Sequence, residues 1–131
     1  MITVAKRLLS GQDLKQELEE LAKSQEIHAG IVLSGVGSLQ RAKLRLPVIG
    51  GDVKYLELKD LEIDSLHGTV SNSGNHIHIT VSDIDGKVWG GHLADGCIVR
   101  TTCEIIIGII EDKKFLRELD KDTGFKELEI H

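Results

Sequence analysis

The chain has 131 residues, with 16 Lys+Arg against 21 Asp+Glu and a formal charge of −5. A domain of this size removes roughly 68% of its extended surface from water, so a core forms without disulfide staples. Apolar residues at 40% and charged ones at 28% argue against disorder and against a membrane span. Aromatics at 3% are too few for base stacking, and net acidity opposes attachment to DNA by overall charge.

The first residues, Met1 to Arg7, lack the apolar stretch and small-residue cleavage site of a secretory signal, so a cytoplasmic protein is expected. Pro47 is the only proline, and no repeat or low-complexity tract interrupts the chain; one domain over residues 1–131 is the economical reading.

Residues 2–9 read as extended. A helix is predicted from about Leu14 to Gln25, N-capped by Asp13, with Leu14, Leu18, Leu21 and Ala22 on one face. Glu17, Glu19, Glu20 and Lys23 form its wet face. Ile31-Val32-Leu33 reads as a buried strand running into Ser34-Gly35-Val36-Gly37-Ser38. That segment has neither the third glycine of a dinucleotide loop nor the Lys-Ser/Thr ending of a phosphate loop, so it reads as a tight turn or a close backbone approach.

Short strands are then expected at 42–46, 54–58, 63–69, 76–82, 88–92 and 98–110. Gly50-Gly51-Asp52, Ser71 to Asn75 and Asp83-Ile84-Asp85-Gly86 punctuate them with turn residues. The end, from Phe115 to Leu128, fits either a turn of helix or a closing strand. The predicted class is α+β, a mainly antiparallel sheet with one long N-terminal helix packed on it.

Cys97 and Cys103 stand six positions apart, which matches no redox or zinc-finger spacing, so they read as small buried hydrophobes. The histidines are more informative. In a strand, His76, His78 and Thr80 point one way, while Ile77, Ile79 and Val81 point toward the core. The two rings lie about 6.6 Å apart along the strand.

Where His92 points depends on the hairpin loop. A plain two-residue turn at Asp85-Gly86 makes facing position numbers sum to 171 and sets His92 against Ile79, on the apolar face. Asp83, Asp85 and Gly86 instead fit a type I turn followed by a glycine with positive φ. In that three-residue loop facing positions sum to 170, and His92 lies opposite His78. We adopt this register. His76, His78 and His92 then form a candidate ligand set for a divalent metal, with zinc the natural occupant of an all-imidazole site.

His67 is a candidate fourth ligand if its strand neighbours His78, or a hydrogen-bonding support for a ligating ring. Glu62 and Glu104 are candidate bases beside a metal-bound water, with Glu62 the second supporting candidate. Asp83 and Asp85 carry oxygen donors, but turn formation accounts for them. His28 and His131 have no comparable context. No GxSxG or HExxH motif is present.

Taken together, Gly35-Val36-Gly37-Ser38-Leu39, Ser65-Leu66-His67-Gly68-Thr69, His76-Ile77-His78-Ile79 and Asp85 to Leu93 resemble the PPC (plants and prokaryotes conserved) domain. The tail, Phe115 through Asp120 to Phe125, fits as well. The resemblance implies a compact α+β homotrimer. It further implies that prokaryotic members can hold a metal through histidines matching His76, His78 and His92. The plant domain sits beside AT-hook motifs, so prokaryotic relatives are often labelled predicted DNA-binding proteins. This chain has no Arg-Gly-Arg-Pro core and no basic tail; Arg41, Lys43 and Arg45 are its nearest basic patch.

The expected function is therefore a small trimeric metal-binding module for interaction or regulation, with a protein partner or small ligand at the metal. Both faces of Ile105 to Ile110 are apolar, which allows one to pack on the helix and the other on a neighbouring subunit. A metal-dependent enzyme using the ion's water is the alternative. Direct DNA binding is the weakest of the three, given the acidic chain.

Overall fold

The structure, a computed structural model, describes residues Met1–His131. It contains β1 (Ile2–Leu9), α1 (Leu14–Ser24), β2 (Gly30–Arg45), β3 (Tyr55–Val70), β4 (His76–Ser82), β5 (Val88–Leu93), β6 (Ile98–Ile109), β7 (Phe115–Leu119) and β8 (Lys126–Ile130). All strand pairings are antiparallel. Six strands run in the order β1-β6-β2-β3-β4-β5, and β7-β8 form a separate hairpin. β5 also returns to pair with the end of β2, so β2, β3, β4 and β5 close a ring of strands.

This corrects the expected α+β class. Strands occupy 60% of the chain and helix only 8%, and α1 is a helix of 11 residues rather than a long one. Its limits follow local chemistry. The Asp13 carboxylate accepts the Gln16 N–H at 3.1 Å and, with its other oxygen, the Gly96 N–H at 2.8 Å, capping the helix and pinning it to the β5–β6 turn. At the other end Glu26 takes φ 50°, which no helix continues through. Leu14, Leu18, Leu21 and Ala22 all enter the core, joined there by Leu8, Leu39, Leu44, Ile79, Val81, Ile105 and Ile107. One stripe of a short helix thus plugs a strongly curved sheet.

The other departure is strand length. Segments expected as separate pieces fuse into two strands of 16 residues, β2 and β3, held in one register from Gly30↔Val70 to Arg45↔Tyr55. Gly35-Val36-Gly37 is neither a turn nor a phosphate loop; it runs inside β2. Close approach is what it provides. A Cβ at Gly37 would overlap the Thr102 carbonyl and lie 2.6 Å from Cys103 Cα on β6. Bulges interrupt the β2–β6 pairing around this region, bending the sheet over the helix.

Cys97 and Cys103 are free and buried, as small hydrophobes would be. Burial pushes the Cys103 thiol up to about 11 and raises that of Cys97, whose Sγ lies 3.4 Å from the Lys43 carbonyl.

Replacing Gly37 by Ala should force β2 and β6 apart at their tightest point. Urea unfolding should show a loss of about 1–3 kcal/mol; an unchanged midpoint would mean the strands accommodate the extra methyl.

Candidate metal centre

The site begins with one carboxylate in the β4–β5 loop. Asp83 Oδ1 accepts the backbone N–H groups of Asp85 (2.9 Å) and Lys87 (3.0 Å), while Oδ2 accepts Trp89 Nε1–H at 3.2 Å. The Gly86 N–H reaches the Asp83 carbonyl at 3.0 Å, and Gly86 takes φ 78°. This is the three-residue loop with a glycine bulge, since a side chain at Gly86 would be strained at that φ. The Trp89 and Lys87 hydrogen bonds hold the Asp83 carboxyl below its ordinary value of 3.8.

The loop sets the register. His78 faces His92, Ile79 faces Gly91 and Thr80 faces Gly90. His76 and His78 are exposed, His92 is half-buried, and Ile77, Ile79 and Val81 are buried on the opposite face. Ring centroids lie 5.0 Å apart for His76–His78, 4.4 Å for His78–His92 and 5.5 Å for His76–His92. One nitrogen from each ring falls within 4.8 Å of the other two. Two nitrogens on one zinc ion sit at most about 4.2 Å apart, so small side-chain rotations bring this all-imidazole set onto a shared cation.

Two of the rings are held toward the neutral form. Burial, followed by the neighbouring Arg45 guanidinium and the other two rings, pulls His92 down to about 4. Burial, His78 and Arg117 also lower His76. Neutral imidazole is the form that ligates a metal.

The neighbours come from distant segments. Gly91 packs against the Arg45 carbonyl, where an added Cβ would come within 3.0 Å, and Arg45 pairs directly with His92. Beside the rings opens a cleft of about 430 Å³. Arg45, Asn75, His76, His92 and the β7–β8 hairpin residues Arg117, Phe125, Lys126 and Glu127 are among its lining residues. The hairpin is docked by Phe115, buried, whose N–H donates to the His28 carbonyl at 2.8 Å. Arg117 ties it further: its backbone N–H donates to Ser73 Oγ at 3.0 Å and its Nη2 to Thr69 Oγ1 at 2.7 Å.

His67 pairs across from His78, on the same face, and lines a shallower hollow of about 200 Å³ with His76 and His78. It stands outside the set of three convergent donors. Glu62 is not beside the rings. It pairs with Ser82 at the far end of β4, five residues, or about 16 Å of strand, from the His67↔His78 pair. Glu104 is likewise remote, on β6 opposite Arg7 and Val36. The carboxylate at the cleft is Glu127, which sequence reading did not single out, and nor did it single out Arg117. Strand alternation in Phe115-Leu116-Arg117 followed by the Asp122-Thr123-Gly124 turn was the available signal. Of the basic trio, Arg45 faces the cleft. Lys43 lies opposite Glu57 with its Nζ 4.6 Å from the Tyr55 ring, and Arg41 is exposed.

A closed ring of antiparallel strands carrying three outward histidines beside a basic cleft defines the class of protein. Residues 1–111 match the model of the Plants and Prokaryotes Conserved (PCC) domain, and the chain belongs to that family. A protein of Synechococcus sp. (strain JA-2-3B'a(2-13)), Bifunctional protein GlmU, is 49% identical over 124 residues, covering 95% of this chain but 19% of its own length. The chain thus spans about a fifth of that relative.

A hypothetical protein from Salmonella enterica superposes with TM-score 0.91 at 34% identity, covering 99% of this chain and 93% of that one. A metal-containing protein from Archaeoglobus fulgidus gives 0.84 at 29%, over 98% and 94%. A candidate DNA-binding protein from Bacteroides thetaiotaomicron gives 0.88 at 20%, over 97% and 91%, a likeness of fold alone.

Asp83 contributes stability above its ordinary pKa, and that contribution disappears as pH falls through the depressed folded value. Asp83→Ala should therefore lower the urea midpoint at pH 7, read by the emission of Trp89, the sole tryptophan. The gap to the parent should close on acidification below 3.8. A gap that persists undiminished at strongly acid pH would show that the carboxylate's charge is not what holds the loop.

Proposed function

We propose that this chain is a zinc-binding interaction module, with the ion held by His76, His78 and His92 and the protein assembled as a homotrimer. The observation that carries the reading is the convergence of three imidazoles from β4 and β5. An all-nitrogen set suits zinc, and three protein ligands leave a position for a small ligand or a group from a partner protein. The Archaeoglobus relative, called a metal-containing protein, supports the presence of a metal. In Bifunctional protein GlmU the homologous segment is one part of a much longer chain, as befits a module. The two free thiols fit a reducing, cytoplasmic setting.

No helix is long and apolar enough to cross a membrane. Self-association is supported by the outer face of β1, β6 and β2. There Ile106 lies opposite Ala5 and Ser34, and Leu33, Val36 and Ile106 are 47%, 56% and 39% exposed. Within one subunit Met1 and Leu33 lie over Gly108 on this face but leave Ile106 partly exposed, while the Ile105 and Ile107 face is buried in the core. A further copy of the chain supplies matching apolar surface.

A metal-dependent enzyme is the second reading, favoured by the cleft beside His76 and His92. Its carboxylate is Glu127 rather than Glu62. When bound, zinc would supply Lewis acidity there.

Elemental analysis of protein purified without a His-tag should find near one zinc per chain, and His78→Ala should lose it almost entirely. Equal metal in the parent and the variant would remove the site. Separately, light scattering should give three times the 14.4 kDa chain mass, and Ile106→Lys should return the monomer. A parent that scatters as a monomer at micromolar concentration ends the trimer.

A further inference from the structure

Arg45, Arg117 and Lys126 meet at one cleft on a chain whose net charge is −5, with Glu127 as its only acidic lining residue. None of the three cations takes part in an ion pair; those pairs involve Lys6, Lys15, Arg100, Lys113 and His131 instead. The buried side-chain atoms left without a hydrogen-bond partner are Arg117 Nε and Asn75 Nδ2, both donors, and both residues line this same cleft. Unpaired buried donors are costly. Here they gather where unpaired positive charge also gathers.

Charge balance sharpens the point. Guanidinium groups beside the three imidazoles oppose the arrival of a dication, because like charges at close range repel. An anion between them reverses the sign of that interaction on both sides. The cleft's volume of about 430 Å³ lies within the range of small-molecule sites, and Phe125 and Val48 give it apolar walls. Arg117 is already oriented by Thr69 Oγ1, so little side-chain freedom is lost when its guanidinium meets an anion.

We infer that the cleft binds a small organic anion, a carboxylate or phosphate compound, held by Arg45, Arg117 and Lys126 beside His76 and His92. The inference deepens the zinc reading and rests on it for the ion's share of the binding; the basic groups stand without it. Recognition then lies mainly on the β7–β8 hairpin, which supplies Arg117, Phe125 and Lys126.

The test is calorimetric titration of the full chain, metal-free and zinc-loaded, with malonate, inorganic phosphate and the uncharged malonamide. Malonate or phosphate should bind, malonamide should not, and zinc loading should tighten the binding. Whichever anion binds more tightly identifies the headgroup. Arg117→Gln and Lys126→Gln should each weaken it about tenfold or more while zinc content stays unchanged. Arg41→Gln, outside the cleft, should leave it alone. Lys126 is exposed, so its variant keeps the test valid should Arg117→Gln undock the hairpin.

Zinc binding without millimolar anion binding overturns the inference and spares the metal. Anion binding in a protein that takes up no zinc does the reverse. Equal affinity for malonamide, or retention of a DNA duplex with no response to malonate, also overturns it.

Discussion

A single aspartate decides on which side of the sheet a histidine stands. Asp83 collects two backbone N–H groups and the Trp89 indole, and so fixes the β4–β5 loop at three residues. Because side chains alternate with period two, one residue more or fewer would exchange the two faces of β5 against β4. His92 would then oppose Ile79 and press a polar ring into the layer built by Ile77, Ile79 and Val81. Those three are almost wholly buried, and an unpaired imidazole among them would be strongly unfavourable. The core and the site thus demand the same register, and hydrogen bonds outside both enforce it.

The closure of β5 onto β2 has a second electrostatic consequence. It places Arg45 across from His92, so a fixed positive charge sits next to a titratable ring. Together with burial this keeps His92 unprotonated over the physiological range. The neutrality of His92 is therefore a property of strand topology, since Arg45 is 47 positions away in sequence and arrives only through ring closure.

What could be read from the sequence was whatever depends on neighbours. The helix limits, the apolar face of β4 and the loop that turns His92 outward follow from spacing over a handful of residues. β2 and β3 defeated that approach. Gly35 and Gly37 look like breaks but mark places where Leu66 and Cys103 crowd the backbone, a fact about β3 and β6 rather than about β2. Asp60, with φ 55°, lies inside β3, between two segments that read as separate strands. Local spacing delimits the helix to within a residue but not its weight in the fold, because one amphipathic stripe says nothing of how much sheet surrounds it. Glu62 was placed near the rings on residue type alone, and the strand pairing sets it at the opposite end of β4.

The arrangement also separates two jobs along the chain. All three histidines, and Arg45 beside them, lie within the 1–111 stretch that matches the family model. Arg117, Phe125, Lys126 and Glu127 lie beyond it, on a hairpin with its own two-strand pairing. A ring of strands closed by backbone hydrogen bonds tolerates little change without shifting register. A hairpin docked through Phe115 and two Arg117 hydrogen bonds can change its inward residues without disturbing that ring. The candidate metal ligands are thereby carried by the ring of strands, while most of the basic groups lining the cleft beside them are carried by the hairpin.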